Sequence, residues 1–171
     1  TALRDASQTV RDRALDALAK LAATDPTVGE KLMTTVEDAN AKPEIRSRAM
    51  KAMGRLAGTG LAIDSLVAML EDAAADIRLR CAAAAALGQS GNTEAVAPLV
   101  KALKDEKAPM RLWAAVALNG QSSSDAISGL TKALEDEDER VRVRAADALA
   151  AVQDPKVIEP LAKAILDESA E

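Results

Sequence analysis

The stretch Val10-Arg11-Asp12-Arg13-Ala14-Leu15-Asp16-Ala17-Leu18-Ala19 decides the fold, because it returns four more times along the chain. The copies begin at Ile45, Leu79, Met110 and Val141, at spacings of 35, 34, 31 and 31 residues. The first column is apolar every time, and the second is arginine without exception: Arg11, Arg46, Arg80, Arg111 and Arg142. The fifth and eighth columns are always alanine, from Ala14 and Ala17 to Ala145 and Ala148, and the ninth is Leu or Met. Positions 1, 5, 8 and 9 share one face of a helix. Alanine in two of those columns lets a neighbouring helix approach closely.

A second pattern follows each first one, over 28–38, 62–72, 95–105, 126–136 and 157–167. Its fifth place is always leucine (Leu32, Leu66, Leu99, Leu130, Leu161) and its last is always aspartate. Breakers separate the patterns: Asp25-Pro26, Gly58-Thr59-Gly60, Gly91-Asn92-Thr93, Ser122 to Asp125, and Asp154-Pro155. Each unit therefore reads as helix, turn, helix. One such pair cannot bury its own apolar face, so the pairs must stack. The expected fold is all-α, a right-handed superhelix of about five repeats over 10–40, 41–74, 75–105, 106–136 and 137–171.

These residues resemble the HEAT repeat, in particular the short HEAT-like repeat of phycobilin lyases. The matching stretches are Leu79-Arg80 through Ala86-Leu87-Gly88, Ala95-Val96-Ala97-Pro98-Leu99, and Ala102-Leu103-Lys104-Asp105. The resemblance covers essentially the whole chain. Asn119 and Ala150 depart from it where the third unit has Gly88, and the first two units are longer. It implies a binding surface rather than an activity, with the second helices lining a concave face. It also implies an Asp–Arg ladder joining neighbouring units. Here the ladder pairs the arginine column with Asp38, Asp72, Asp105 and Asp136, each six or eight residues before its Arg. An Arg at the edge of the apolar face can bury its stem and aim its fork at a carboxylate or at helix-end carbonyls.

Composition narrows the function. The chain has 171 residues, 29% of them charged, a net charge of −5, one cysteine, and no His, Tyr or Phe. Without histidine there is no Ser-His-Asp triad, Cys-His pair or imidazole ligand. Cys81 alone makes no internal disulfide and no two-cysteine zinc or redox motif, which fits a reducing compartment, the cytoplasm. No carboxylate pair stands isolated in an apolar setting, as acid–base work needs, and there is no Gly-rich phosphate loop. No catalytic residue, cofactor or metal is expected. No apolar run approaches the roughly 20 residues needed to cross a bilayer, and nothing resembles a signal peptide. The segment 135–171 holds 11 acidic and 5 basic residues. Its run Glu135-Asp136-Glu137-Asp138-Glu139 lacks the alternating ligands and central Gly of a calcium loop and reads as a solvated turn.

Two surfaces qualify as partner sites. Trp113 is the only aromatic residue, in a column otherwise held by Arg13, Arg48, Ala82 and Arg144. With Leu112 and Val116 it forms an apolar patch beside Val143 and an outward-facing Cys81, as partner sites often do; its bland reading is gap-filling between alanine-rich helices. On the second helices Lys101, Lys132 and Lys163 stand seven places in, in register with Thr34 and Ala68. Glu30, Asp64, Ser128 and Glu159 occupy another inward column, giving a mixed-charge groove suited to a peptide or protein; its bland reading is a solvated face.

The expected function is a non-catalytic protein-binding scaffold. One alternative is a bilin lyase or lyase subunit, carried only by the repeat subtype. The other is nucleic-acid binding through the arginine rows, although the strongly basic face and stacking aromatics of such proteins are missing. Residues Ala2-Leu3-Arg4-Asp5 through Val10-Arg11 match Ala102-Leu103-Lys104-Asp105 through Met110-Arg111 in register, like the tail of a preceding repeat over 1–9. The expectation is a piece of a longer array, or an open end covered by a second copy.

Overall fold

A computed structural model describes residues 27–38, 40–41, 43–57 and 62–166, with single positions 7, 9, 10, 13, 14, 17, 21 and 25. Every α-helix and 3-10 turn given below lies in those residues, and among them there is no strand. The chain divides into two compact units, residues 1–95 and 96–171.

The first unit holds α1 (Thr27–Glu37), α2 (Pro43–Ala57), α3 (Ile63–Glu71), α4 (Ile77–Ser90) and a 3-10 turn, Thr93–Ala95. Helix α2 packs along α4, α1 lies on α2, and α3 on α4. At Gly54 the backbones of α2 and α4 come so close that an added Cβ would sit 3.0 Å from the Ala86 Cα and carbonyl oxygen. The alanine columns serve the same approach: Ala49 and Ala83 are wholly buried, and Ala52 and Ala86 almost so.

The second unit holds α5 (Val96–Ala102), α6 (Ala108–Ala117), α7 (Ser124–Ala133), α8 (Glu139–Ala150), a 3-10 turn at Pro155–Val157, and α9 (Ile158–Leu166). Helix α6 packs along α8 and α5 along α7, while α5 also touches α6 and α7 touches α8. Packing of each helix on the next but one is how hairpins stack in layers. The core is the periodic face read from the sequence: Met110, Ala114, Leu130, Val141, Ala145 and Leu149 are fully buried. Each buried leucine contributes about 1.5–3 kcal/mol.

Local chemistry sets the helix ends. The aspartates that close the second patterns all make the same turn: Asp38, Asp72, Asp105 and Asp136 each accept, through Oδ1, the backbone N–H two residues on, at 2.9 Å. Asp76, Ser123 and Asp138 cap the N-termini of α4, α7 and α8 with side-chain oxygens. Gly91 (φ 65°) ends α4 in the left-handed region, and Gly120 (φ 74°) turns the chain beyond α6. No helix among the described residues is long and apolar enough to cross a membrane.

Candidate functional site

The arginine column turns onto helix ends. Arg46 Nε donates to the Val36 carbonyl at 2.7 Å and Arg80 Nε to that of Leu70 at 2.9 Å. Arg111 Nη1 donates to the Asp105 carbonyl at 2.9 Å, and Arg142 Nη1 to that of Asp136 at 2.8 Å. Cations there meet the negative end of the preceding helix. Arg11 lies outside the described residues.

Arg111 also makes a carboxylate rung. Its Nε and Nη2 grip both oxygens of Asp136, at 2.7 and 2.9 Å, and Nη2 reaches Glu137 at 2.9 Å. Nη1 takes the Asp105 and Glu106 carbonyls, so all five guanidinium protons are used. The Arg111 and Asp136 side chains are both only 9% exposed. Hydrogen bonding to Asp136 raises the Arg111 guanidinium above its ordinary range. The rung joins residues 25 apart, an arginine to the aspartate closing the next second helix rather than the preceding one. Toward the preceding helix, Arg111 and Arg142 donate to the carbonyls of Asp105 and Asp136. Of this column Arg80 and Arg111 are buried, and Arg46 and Arg142 are partly exposed.

The apolar patch is only partly as read. Trp113 is 41% exposed and Val116 37%, both on α6, while Leu112 is half-buried. Val143, on the adjoining α8, is exposed. Cys81 does not belong to this surface: it is buried, not outward-facing. In its column Leu112 is half-buried and Val143 exposed, so the column number alone did not place it.

The second helices present polar side chains to solvent. Thr34, Ala68, Lys101, Lys132 and Lys163 are all exposed, as are Glu30, Asp64, Ser128 and Glu159. Lys163 Nζ lies 2.9 Å from Glu135 Oε1, so part of the lysine charge is matched within the chain. A depression of about 290 Å³ opens between α5 and α7. Val100, Leu103, Gly129 and Ala133 supply its apolar lining, and Lys104, Lys132, Glu135 and Asp136 its charged groups. Among the described residues no group of His, Cys, Asp or Glu is placed to hold a metal ion.

Sequence reasoning did not single out Ile158. It is 66% exposed on α9, the most exposed of the large apolar side chains among the described residues. Its column did not signal this, since Ile63, Val96 and Ile127 hold the same place and are buried.

A family model described as HEAT repeats matches residues 72–128 and 111–171. Human deoxyhypusine hydroxylase, solved with glycerol, is similar over 98% of this chain and 76% of its own, at 19% identity and a TM-score of 0.56. The CpcE–CpcF complex of phycocyanin lyase from a Nostoc species is similar at 26% identity and a TM-score of 0.55. That match covers 95% of this chain and 66% of the other. A designed armadillo repeat protein in complex with a (KR)4 peptide is similar at 22% identity and a TM-score of 0.51, over 95% and 84%. No curated protein matches the sequence. These likenesses place the fold among the all-α armadillo and HEAT-type solenoids.

Proposed function

Because the chain belongs to the HEAT repeat family, we propose that it is a non-catalytic scaffold whose exposed helix faces bind a protein or peptide partner. The observation that carries this reading is Trp113. A helix that already buries Met110, Arg111, Ala114, Ala115 and Ala117 holds the chain's single aromatic ring 41% exposed, with Val116 beside it. Tryptophan left partly in water, on a rigid element and next to apolar neighbours, is the residue type that dominates interface energies. The lysines of the second helices and the acidic groups near them give a second, polar face on which a partner of complementary charge is steered.

The test is capture by the intact chain, with wild type, Trp113→Ala and the triple Lys101, Lys132 and Lys163→Glu variant compared against the same partner. Loss of capture in Trp113→Ala, with an unfolding free energy within about 1.5 kcal/mol of wild type, is the expected result. A destabilisation of about 3–5 kcal/mol would assign the ring to the core instead. Binding that persists in the triple variant would remove the lysine face from the reading.

A second reading has one observation behind it, the likeness to CpcE–CpcF at 26% identity. In that reading the chain is a subunit of a bilin lyase. Mixing it with a free bilin and recording the visible spectrum decides the point, and an unshifted band ends this reading.

A further inference from the structure

The depression between α5 and α7 lies where one second helix lacks a side chain. The fourth place of the second-helix pattern reads Lys31, Ser65, Pro98, Gly129 and Pro160, so only α7 has glycine there. A Cβ at position 129 would lie 3.1 Å from Leu103 Cδ1 and 3.2 Å from Val100 Cγ1, both on residues that line the depression. Glycine inside a helix is less favourable than alanine. Here it keeps the space over Val100, Leu103 and Ala133 free of a side chain from α7 itself. The floor is thus apolar, with Leu103 and Ala133 nearly buried and Val100 half-buried.

Four charged groups stand at its rim, Lys104, Lys132, Glu135 and Asp136. Both carboxylates are already matched. Arg111 grips Asp136 at 2.7 and 2.9 Å, and Lys163 Nζ lies 2.9 Å from Glu135. The lysines are not matched: among the described residues, Lys104 and Lys132 have neither an ion pair nor a side-chain hydrogen bond. Both are exposed. The charge left over at the rim is therefore positive, above an apolar floor. Small-molecule sites run to roughly 300–1,000 Å³. At about 290 Å³ this one suits a single side chain rather than a whole cofactor.

We propose that this depression is a subsite for an acidic peptide: it takes one large aliphatic side chain, and carboxylates on either side of that residue pair with Lys104 and Lys132. The assignment rests on the scaffold reading above and gives one of its partner faces a chemistry. The floor selects by size, because a leucine side chain loses more water there than an alanine. The rim selects by sign, because a basic segment meets two ammonium groups with no carboxylate to offset them.

Amide NMR titration of the 171-residue chain tests this with four probes. Three are capped pentapeptides: leucine between pairs of glutamates, alanine between pairs of glutamates, and leucine between pairs of lysines. The fourth is octanoate. The acidic leucine peptide is expected to move the amides of Val100, Leu103 and Gly129, and to bind about tenfold more tightly than its alanine counterpart. The lysine peptide is expected to leave those amides in place. Lys104→Glu with Lys132→Glu, both at exposed positions, should weaken the acidic leucine peptide about tenfold. Gly129→Leu should fill the floor and abolish the preference for leucine over alanine; if thermal melts show it unfolded, the double lysine variant decides. Equal binding of the leucine and alanine peptides overturns the proposal, as does equal binding of the acidic and basic ones, or shifts confined to other residues. Octanoate binding more tightly than the acidic leucine peptide overturns the peptide as occupant. The two readings fail separately. Partner capture that depends on Trp113, with no peptide response, sinks this subsite alone, whereas a peptide response with Trp113 in the core supports it and sinks the tryptophan patch.

Discussion

The two units use the same arginine column in different registers. In residues 28–95, the aspartate closing a second helix lies eight residues before its arginine: Asp38 and Arg46, Asp72 and Arg80. In residues 96–171 the separation is six: Asp105 and Arg111, Asp136 and Arg142. With the longer connector, Nε donates to a carbonyl two residues before the aspartate, Val36 or Leu70. With the shorter one, Nη1 donates to the aspartate's own carbonyl. The helix end is satisfied both ways. The atom used differs, and that changes what else the guanidinium can do. Holding the carbonyl with Nη1 leaves the Nε–Nη2 edge of Arg111 for both oxygens of Asp136. Arg46 and Arg80 instead place Nε on the carbonyl. A two-residue change in a loop thus goes with a different guanidinium atom meeting the helix end.

Replacing Arg111 should break the comparison most. Arg111→Ala leaves Asp136 buried without its cation and should cost about 3–5 kcal/mol in urea unfolding. Arg46→Ala, which removes a bond to one helix-end carbonyl, should cost about 1–3 kcal/mol. Equal losses would mean that the second unit gains nothing from its shorter connector.

Close packing separates the units next. Gly54→Ala in the first unit drives a methyl into backbone atoms of Ala86, which cannot rotate away. It should cost about 1–3 kcal/mol, despite the better helix propensity of alanine. The same change at Gly129 in the second unit meets the methyl ends of Leu103 and Val100, at 3.1 and 3.2 Å. Those side chains can turn, so the stability should change by less than about 1 kcal/mol. Chemical denaturation of both variants ranks them.

The smallest effect is electrostatic. The Asp138 carboxyl is held down from 3.8 to about 2, first by its side-chain hydrogen bond with Arg140 and then by backbone N–H groups. Asp76 is lowered by Arg78 in the same way, and Asp25 by Thr27. A carboxyl lowered in the fold favours the native state while ionised. Its stabilisation is complete above pH 3.8 and disappears as the pH falls through 2. Urea midpoints should therefore drop between pH 4 and 2, and Arg140→Gln should flatten part of that drop. These pairs are exposed, so the change should be modest beside that of Arg111→Ala.

Much of this was legible along the chain. Alternating columns at 1, 5, 8 and 9 located the buried faces, because a helix side chain meets its own neighbours at fixed offsets. The closing aspartates were legible for the same reason: each turn spans two residues. The partner of Arg111 was not, because spacing suggested the aspartate six residues back, whereas the carboxylate it grips is 25 residues on. The outward placement of Cys81 failed in the same way, since a column number gives an angle on a helix and says nothing about what lies above it.

Helix position, capping, turn chemistry and the order of hairpins came from interactions among residues a few places apart, and these the chain encodes in its own spacing. Exposure was decided elsewhere. Ile127 and Ile158 have the same column and the same identity, yet one is 7% and the other 66% exposed. Only the packing of helices distant in sequence separates them, because burial depends on a neighbour's presence and not on a residue's own preference.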